Sequence, residues 1–308
     1  MKTRALLSAL LVMCVQIVAA QSLTSVFKSG HWVKIAVSAD GVYKIPYPQL
    51  SEWGFSNPNN VRVFGNDFGM LPFINSEERP DGIVENKVMY GDDALYFYAK
   101  SKDIWNYNEV EGLFLPKTHL FDSRAYYFLS DVTTDYNNRI TKPTAAPTPQ
   151  SVVNQGDFFA IHENDDVNLQ MSGRNWYGEN FYYATQQDFK IELPSPAIAA
   201  DAKAKVSVIA RSAVDNSFDV SFNGGAAKSL VTKSVSGSSI YADTKTQIID
   251  FKSVNGNVQN IGIIFNKSTP SAEGYLDYII INVRGNLNYN GKQLIFRDIQ
   301  SHNLYNAV

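Results

Sequence analysis

The sequence predicts an all-β protein made of two β-rich domains joined by a Pro/Thr-rich linker, the second domain a β-sandwich or jelly roll. Three observations carry this reading. Of the 308 residues, 13% are aromatic, with 17 Tyr and 18 Phe, and only 19% are charged; that composition suits pleated, half-buried strands. Apolar residues recur with a period of two in short runs bounded by Gly, Asn and Ser, with no long amphipathic helical stretch between them. A break in composition at 141–150, with three prolines and almost no bulky side chains, separates two sets of such runs.

The elements follow in order. Val33, Ile35 and Val37 share one face of a strand over 32–37. Asp40-Gly41 then separates this run from Val42-Tyr43-Lys44-Ile45, a hairpin signal because glycine accepts the backbone angles of tight turns. Residues 48–53 form one short helix closed by Gly54. Further strands are expected at 61–64, 95–99 and 125–129, with 65–91 loop-like, rich in Gly, Asn, Pro and acids. Beyond the linker, strands are expected at 189–193, 205–210, 218–222, 247–251, 261–265 and 275–283, and Asn223-Gly224-Gly225 turns the chain after Phe222. Even spacing of this kind indicates a sandwich. The domain boundaries read as 21–140, a linker at 141–150, a sandwich at 151–285 and a C-terminal segment at 286–308.

Residues 1–20 read as a signal peptide. Lys2 and Arg4 precede an apolar run from Ala5 to Val15, and Val18-Ala19-Ala20 offers small residues for cleavage before Gln21. The run is too short to span a bilayer, which takes ~20 residues. Cleavage would remove Lys2 and Arg4, leaving 25 of the 27 basic residues against all 30 acidic ones and taking the net charge from −3 to −5. It would also remove the single cysteine, Cys14. A competing reading makes Cys14 a lipid-attachment site, against which stand the bulk of Met13 and the apolar residues that continue past it. Such a leader marks the chain for export.

Charge and motifs exclude several activities. The acidic balance argues against nucleic acid as a partner, which calls for a basic stripe. Without Cys14 there is no thiolate nucleophile. A Gly-x-Ser-x-Gly elbow, a His-Glu-x-x-His pair and a phosphate-cradling loop are all missing from the sequence. His31, His119, His162 and His302 are scattered, which disfavours an imidazole-built zinc site. No cofactor is expected; calcium is left open by the acid pairs Glu77-Glu78, Asp92-Asp93 and Asp165-Asp166, which read first as solvated turn residues.

One cluster stands out, from His162-Glu163-Asn164-Asp165-Asp166 into Arg174-Asn175-Trp176-Tyr177-Gly178-Glu179. Its candidate binding residues are His162, Glu163, Arg174, Trp176, Tyr177 and Glu179. Trp176 and Tyr177 offer flat faces to a sugar or a protein, with Arg174 and Glu179 supplying oriented hydrogen bonds. The preferred reading is an internal lock, in which Arg174 bridges Glu163 or Glu179 and the aromatics fill a seam between the domains. No catalytic residue is assigned.

The residues also resemble a family. Gly30-His31-Trp32-Val33-Lys34-Ile35, Asp40-Gly41-Val42-Tyr43-Lys44-Ile45, Val61-Arg62-Val63-Phe64-Gly65-Asn66, Gly69-Met70-Leu71-Pro72 and Glu85-Asn86 are similar to type IX secretion system sortases, the PorU proteins of Bacteroidetes. So are Tyr126-Tyr127-Phe128-Leu129, the cluster from Ser172 to Glu179, Tyr275-Leu276-Asp277-Tyr278-Ile279 and Gln293-Leu294-Ile295-Phe296-Arg297-Asp298, all in the family's order. The resemblance implies a surface-carried, gingipain-like cysteine peptidase that removes the sorting domain of secreted cargo and joins the new carboxyl end to lipopolysaccharide. It implies as partners the cargo sorting domains and an outer-membrane β-barrel component. The family's catalytic His and Cys belong to a peptidase domain beyond the strands that end near Asp298, so residues 286–308 would lead toward a domain this chain does not contain. A non-catalytic sortase region is therefore the leading expectation, and a stand-alone carbohydrate- or protein-binding β-sandwich module is the alternative. A self-contained enzyme using paired carboxylates ranks last.

Overall fold

In a computed structural model, the described residues are 25–66, 69–79, 82–132, 138–141, 152–169, 171, 173, 175–235, 241–289 and 291–300. The expected signal peptide with Cys14, linker residues 142–150, candidate residue Arg174 and the last eight residues lie outside them. Strands dominate, as expected for an all-β chain. One α-helix, α1 (Tyr47–Glu52), ends where Gly54 takes φ +93° and its N–H donates to the Ser51 carbonyl. The chain divides into two compact units: one holds the described residues up to Ile104 and those of Lys117–Thr144, the other Trp105–Pro116 and the residues from Ala145 onward.

The first unit has two antiparallel sheets. One is ordered β1 (Trp32–Val37), β9 (Ala125–Ser130), β3 (Arg62–Gly65), β4 (Val84–Glu85); the other β2 (Gly41–Pro46), β6 (Ala94–Ala99), β5 (Val88–Tyr90). The hairpin expected at Asp40-Gly41 does not form. β1 pairs with β9 and β2 with β6, so the turn carries the chain from one sheet to the other. Each run has an apolar face, and those faces join a common core holding Val37, Ile45, Val63, Phe97, Tyr127 and Leu129. Burial of that face outweighs the local preference of the turn. The stretch 65–91, expected as loop, contains the short strands β4 and β5.

The second unit is the sandwich. Its strands are β10 (Gln155–Glu163), β11 (Gln186–Ala197), β12 (Asp201–Arg211), β13 (Asn216–Phe222), β14 (Lys228–Thr232), β15 (Asp243–Lys252), β16 (Gly256–Asn266) and β17 (Glu273–Asn286). Pairing gives one layer ordered β14-β13-β16-β11 and another ordered β15-β12-β17-β10. The strand ladders of the two layers join at Ala197 of β11 and Gly285 of β17. A Cβ at Gly285 would lie 2.5 Å from the Pro196 carbonyl and 2.7 Å from the Phe158 ring, so this corner closes only around glycine. Inward residues of both layers form one core, for example Phe222 of β13 stacked on Phe251 of β15 at 4.4 Å. Each buried Ile, Val or Phe there contributes about 1.5–3 kcal/mol of apolar transfer.

A two-stranded hairpin, β7 (Ile104–Asn108) and β8 (Leu113–Lys117), covers the outer face of the second layer. Asn108 builds its turn, its carbonyl accepting from the Gly112 N–H and its side-chain oxygen from Val110 and Glu111. Phe114 stacks on Phe159 of β10 at 4.9 Å, and Trp105 packs on the same ring at 4.4 Å. The Asn282 side chain on β17 imitates a neighbouring strand: its oxygen accepts from Phe114 N–H at 2.7 Å and its amide donates to Phe114 carbonyl at 3.1 Å. Lys205 donates to both oxygens of Glu111, at 2.9 and 2.7 Å.

Candidate functional site

The cluster singled out in the sequence lies where β10 ends and the chain returns over residues 164–180 to the start of β17. Val167 and Tyr177 exchange backbone hydrogen bonds, closing the loop on itself. Gly178 N–H donates to the Leu276 carbonyl, Leu276 N–H to Glu179, and Phe181 N–H to Gly274. The backbone of 178–181 thus extends the edge of β17, and these bonds fix where the cluster's side chains point.

His162 and Glu179 meet. The imidazole Nε2 donates to Glu179 Oε1 at 2.7 Å, and the Asn164 amide donates to the same oxygen at 2.7 Å. The His162 ring also packs against Phe189 at 5.1 Å. Burial acts to raise the Glu179 carboxyl, but the hydrogen bonds from His162, a backbone N–H and Asn164 prevail, holding it below its ordinary value of 4.5. Its second oxygen is buried and has no hydrogen-bond partner among the described residues. Tyr177 lies 6.3 Å from the Tyr275 ring, and burial pushes its phenol up. Burial, with Glu273 alongside, pushes Tyr275 up to about 12.

The described candidates Glu163 and Trp176 lie in the same stretch of chain. Glu163 stands in register with Tyr278 on β17. Trp176 is 43% exposed, and Tyr183 further along is 93% exposed. Chemically, His162, Asn164 and Glu179 tie a strand end to a returning loop. Among the described residues, the hydrogen-bond partner of the His162 Nε2 is Glu179. No group of His, Cys, Asp and Glu able to hold a metal ion occurs among the described residues. None of their helices is long and apolar enough to cross a membrane.

A second constellation was missed in the sequence. Arg284 on β17 donates to Asp157 on β10 at 2.9 Å and to Asp298 at 2.6 Å. Asp157 accepts from Ile299 N–H at 2.7 Å, its own N–H donates to the Arg297 carbonyl, and Arg297 donates to the Trp105 carbonyl. This clamp holds residues 297–299 beside β10. The three charged residues are 127 and 14 positions apart in the chain, so no local pattern marks them.

The geometry defines an all-β protein of two units, the second carrying a polar tie between a strand end and a loop. Known proteins narrow this further. No protein-family model and no curated protein matches the chain. The chain is structurally similar to dimeric latent PorU from Porphyromonas gingivalis, with a TM-score of 0.77 and 26% identity over 89% of its length. It spans only 26% of that PorU chain. A CBM36 carbohydrate-binding module in complex with calcium and xylotriose (13% identity, 40% of this chain and 98% of that one) has a TM-score of 0.25. CBM35 from Cellvibrio japonicus Abf62 (13% identity, 43% and 94%) has the same score, too low to establish a shared fold.

Proposed function

We propose that this chain is the exported, β-rich N-terminal region of a type IX secretion system sortase. In this reading it supports or docks a gingipain-like cysteine peptidase domain carried by further polypeptide. The assembly would stand at the outer-membrane surface with a β-barrel component, where the peptidase removes cargo sorting domains and attaches cargo to lipopolysaccharide. The observation that carries the reading is the likeness to PorU across 89% of this chain, set against its 26% share of that protein. The ordered sequence landmarks support it.

Two measurements on the purified chain starting at Gln21 test the reading. Incubated with a cargo sorting-domain substrate, it is expected to leave the substrate intact; cleavage by the purified chain would overturn the non-catalytic role. Mixed with a PorU polypeptide that lacks the matching region but keeps the peptidase, it is expected to co-elute on gel filtration. Separate elution at micromolar concentration would overturn the docking role.

A further inference from the structure

The hairpin does not lie flat on the sandwich along its whole length. Between it and the sheet is a cavity of about 290 Å³, enough for roughly ten waters at ~30 Å³ each. Tyr107, Gly112 and Phe114 of the hairpin form one wall, and Lys203, Asp250 and Asn282 of the sheet are among the residues facing them. The volume is at the small end of ligand pockets, which run from ~300 Å³ upward.

The charges around this space are unequally committed. Arg284 is paired with Asp157 and Asp298, and Asp201 with Lys252. Asn282 is fully occupied by the Phe114 backbone. Three groups remain. The Lys203 ammonium, the Asp250 carboxylate and the Tyr107 hydroxyl have no hydrogen bond or ion pair with any described residue. Lys203 and Asp250 are register partners on β12 and β15, so they point to the same side of the sheet without closing on each other. Gly112, with φ +66°, keeps the space open: a Cβ there would lie 3.1 Å from Lys203 Nζ and 3.8 Å from the Tyr107 hydroxyl.

We propose that this cavity is a binding site for a neutral sugar unit, seated on the Tyr107 ring with adjacent hydroxyls held between the Lys203 ammonium and the Asp250 carboxylate. The ammonium donates, the carboxylate accepts, and a sugar hydroxyl does both, so a pair of neighbouring hydroxyls satisfies both charges at once. The uncommitted charges cancel, so a ligand carrying a net charge gains at one group and loses at the other. An aromatic ring beside them gives the apolar face of a pyranose a surface to cover. A free amino acid is the competing occupant, since it matches both charges but has no flat apolar face for Tyr107.

Saturation-transfer NMR on the full chain, with the methyl glycosides of glucose, galactose and mannose at millimolar concentration, tests the site. At least one glycoside is expected to receive saturation. Affinity should fall about tenfold in Lys203→Met and in Asp250→Asn, each removing one charged hydrogen bond. Tyr107→Phe should cost a few-fold, and Trp176→Ala, on the other cluster, should cost nothing. Thermal midpoints within the wild-type range confirm that the variants are folded; should one of the first two unfold, the other and Tyr107→Phe decide. Absence of saturation in all three glycosides would overturn the proposal, as would binding that survives both Lys203→Met and Asp250→Asn, or glycine competing at the site while no glycoside does.

Discussion

Two segments return to the second sheet layer of the sandwich, and they treat their polar groups in opposite ways. The loop 164–180 brings His162 and Asn164 onto one oxygen of Glu179 and lines its backbone along β17. The hairpin over 105–116 is fastened at its aromatic end and at Glu111, yet around a cavity the Tyr107 hydroxyl, the Lys203 ammonium and the Asp250 carboxylate have no polar partner among the described residues. Density of chemically suggestive residues in the sequence thus marks a closed structure, whereas the open one is assembled from residues far apart. Polar groups that are neighbours in sequence can satisfy each other by local turns. Groups brought together by strand register are held by the sheet, so they can stay uncommitted.

The comparison breaks most readily at the clamp beside the hairpin. Arg284, Asp157 and Asp298 have side chains only 16%, 14% and 7% exposed. Burial works against the guanidinium's charge, but the two carboxylates prevail and hold its pKa above the ordinary value. Arg284→Met leaves two half-dry carboxylates facing each other, with an expected loss of about 3–5 kcal/mol in urea unfolding. Adding Asp157→Asn and Asp298→Asn to it should restore part of the loss. A loss in Arg284→Met no larger than at an exposed ion pair would mean that the clamp is solvated.

Next in size is Phe114, 6% exposed and stacked on Phe159. Phe114→Ala is expected to cost about 3 kcal/mol. Its sharper readout is local. Protease should nick residues 105–116 in the variant while the loop 164–180 keeps its protection. Loss of protection in both segments together would mean that they are one cooperative element rather than two.

How much of this was legible beforehand follows the same division. The strands β11, β12, β13, β15, β16 and β17 show in the sequence because alternation such as Phe218, Val220 and Phe222 records which face is buried. The hairpin β7-β8 was missed although Trp105 and Tyr107 alternate with Asn106 and Asn108, because the run is short and its prolonged polar turn hides the return strand. β10 was missed because Phe158 and Phe159 are adjacent: one enters the sandwich core and the other meets the hairpin, so both faces are apolar and the period vanishes. In the candidate site, proximity in sequence located His162 and Glu179 but could not show that Asn164 shares the same oxygen. Nothing local could reveal Lys203 facing Asp250, which depends on the register between two strands.

The smallest expected effect tests the closed side of the comparison. Glu179 has its carboxyl pKa lowered in the folded protein from the ordinary 4.5, so its contribution to stability is complete above that value and is lost as pH falls through the lower folded value. The wild type should therefore lose about 1 kcal/mol more than Glu179→Gln between pH 5 and 3, since the variant has no carboxyl to protonate and keeps only neutral hydrogen bonds. Protection factors at the Val167 and Tyr177 amides, which correct for the intrinsic slowing of exchange in acid, should fall in the wild type over that range, because their mutual bonds depend on the loop staying tied to β10. If protection at those amides is indifferent to pH while the rest of the sandwich responds, the backbone pairing with Leu276 and Gly274 holds the loop by itself. His162 and Glu179 then merely occupy a surface that the strands have already built.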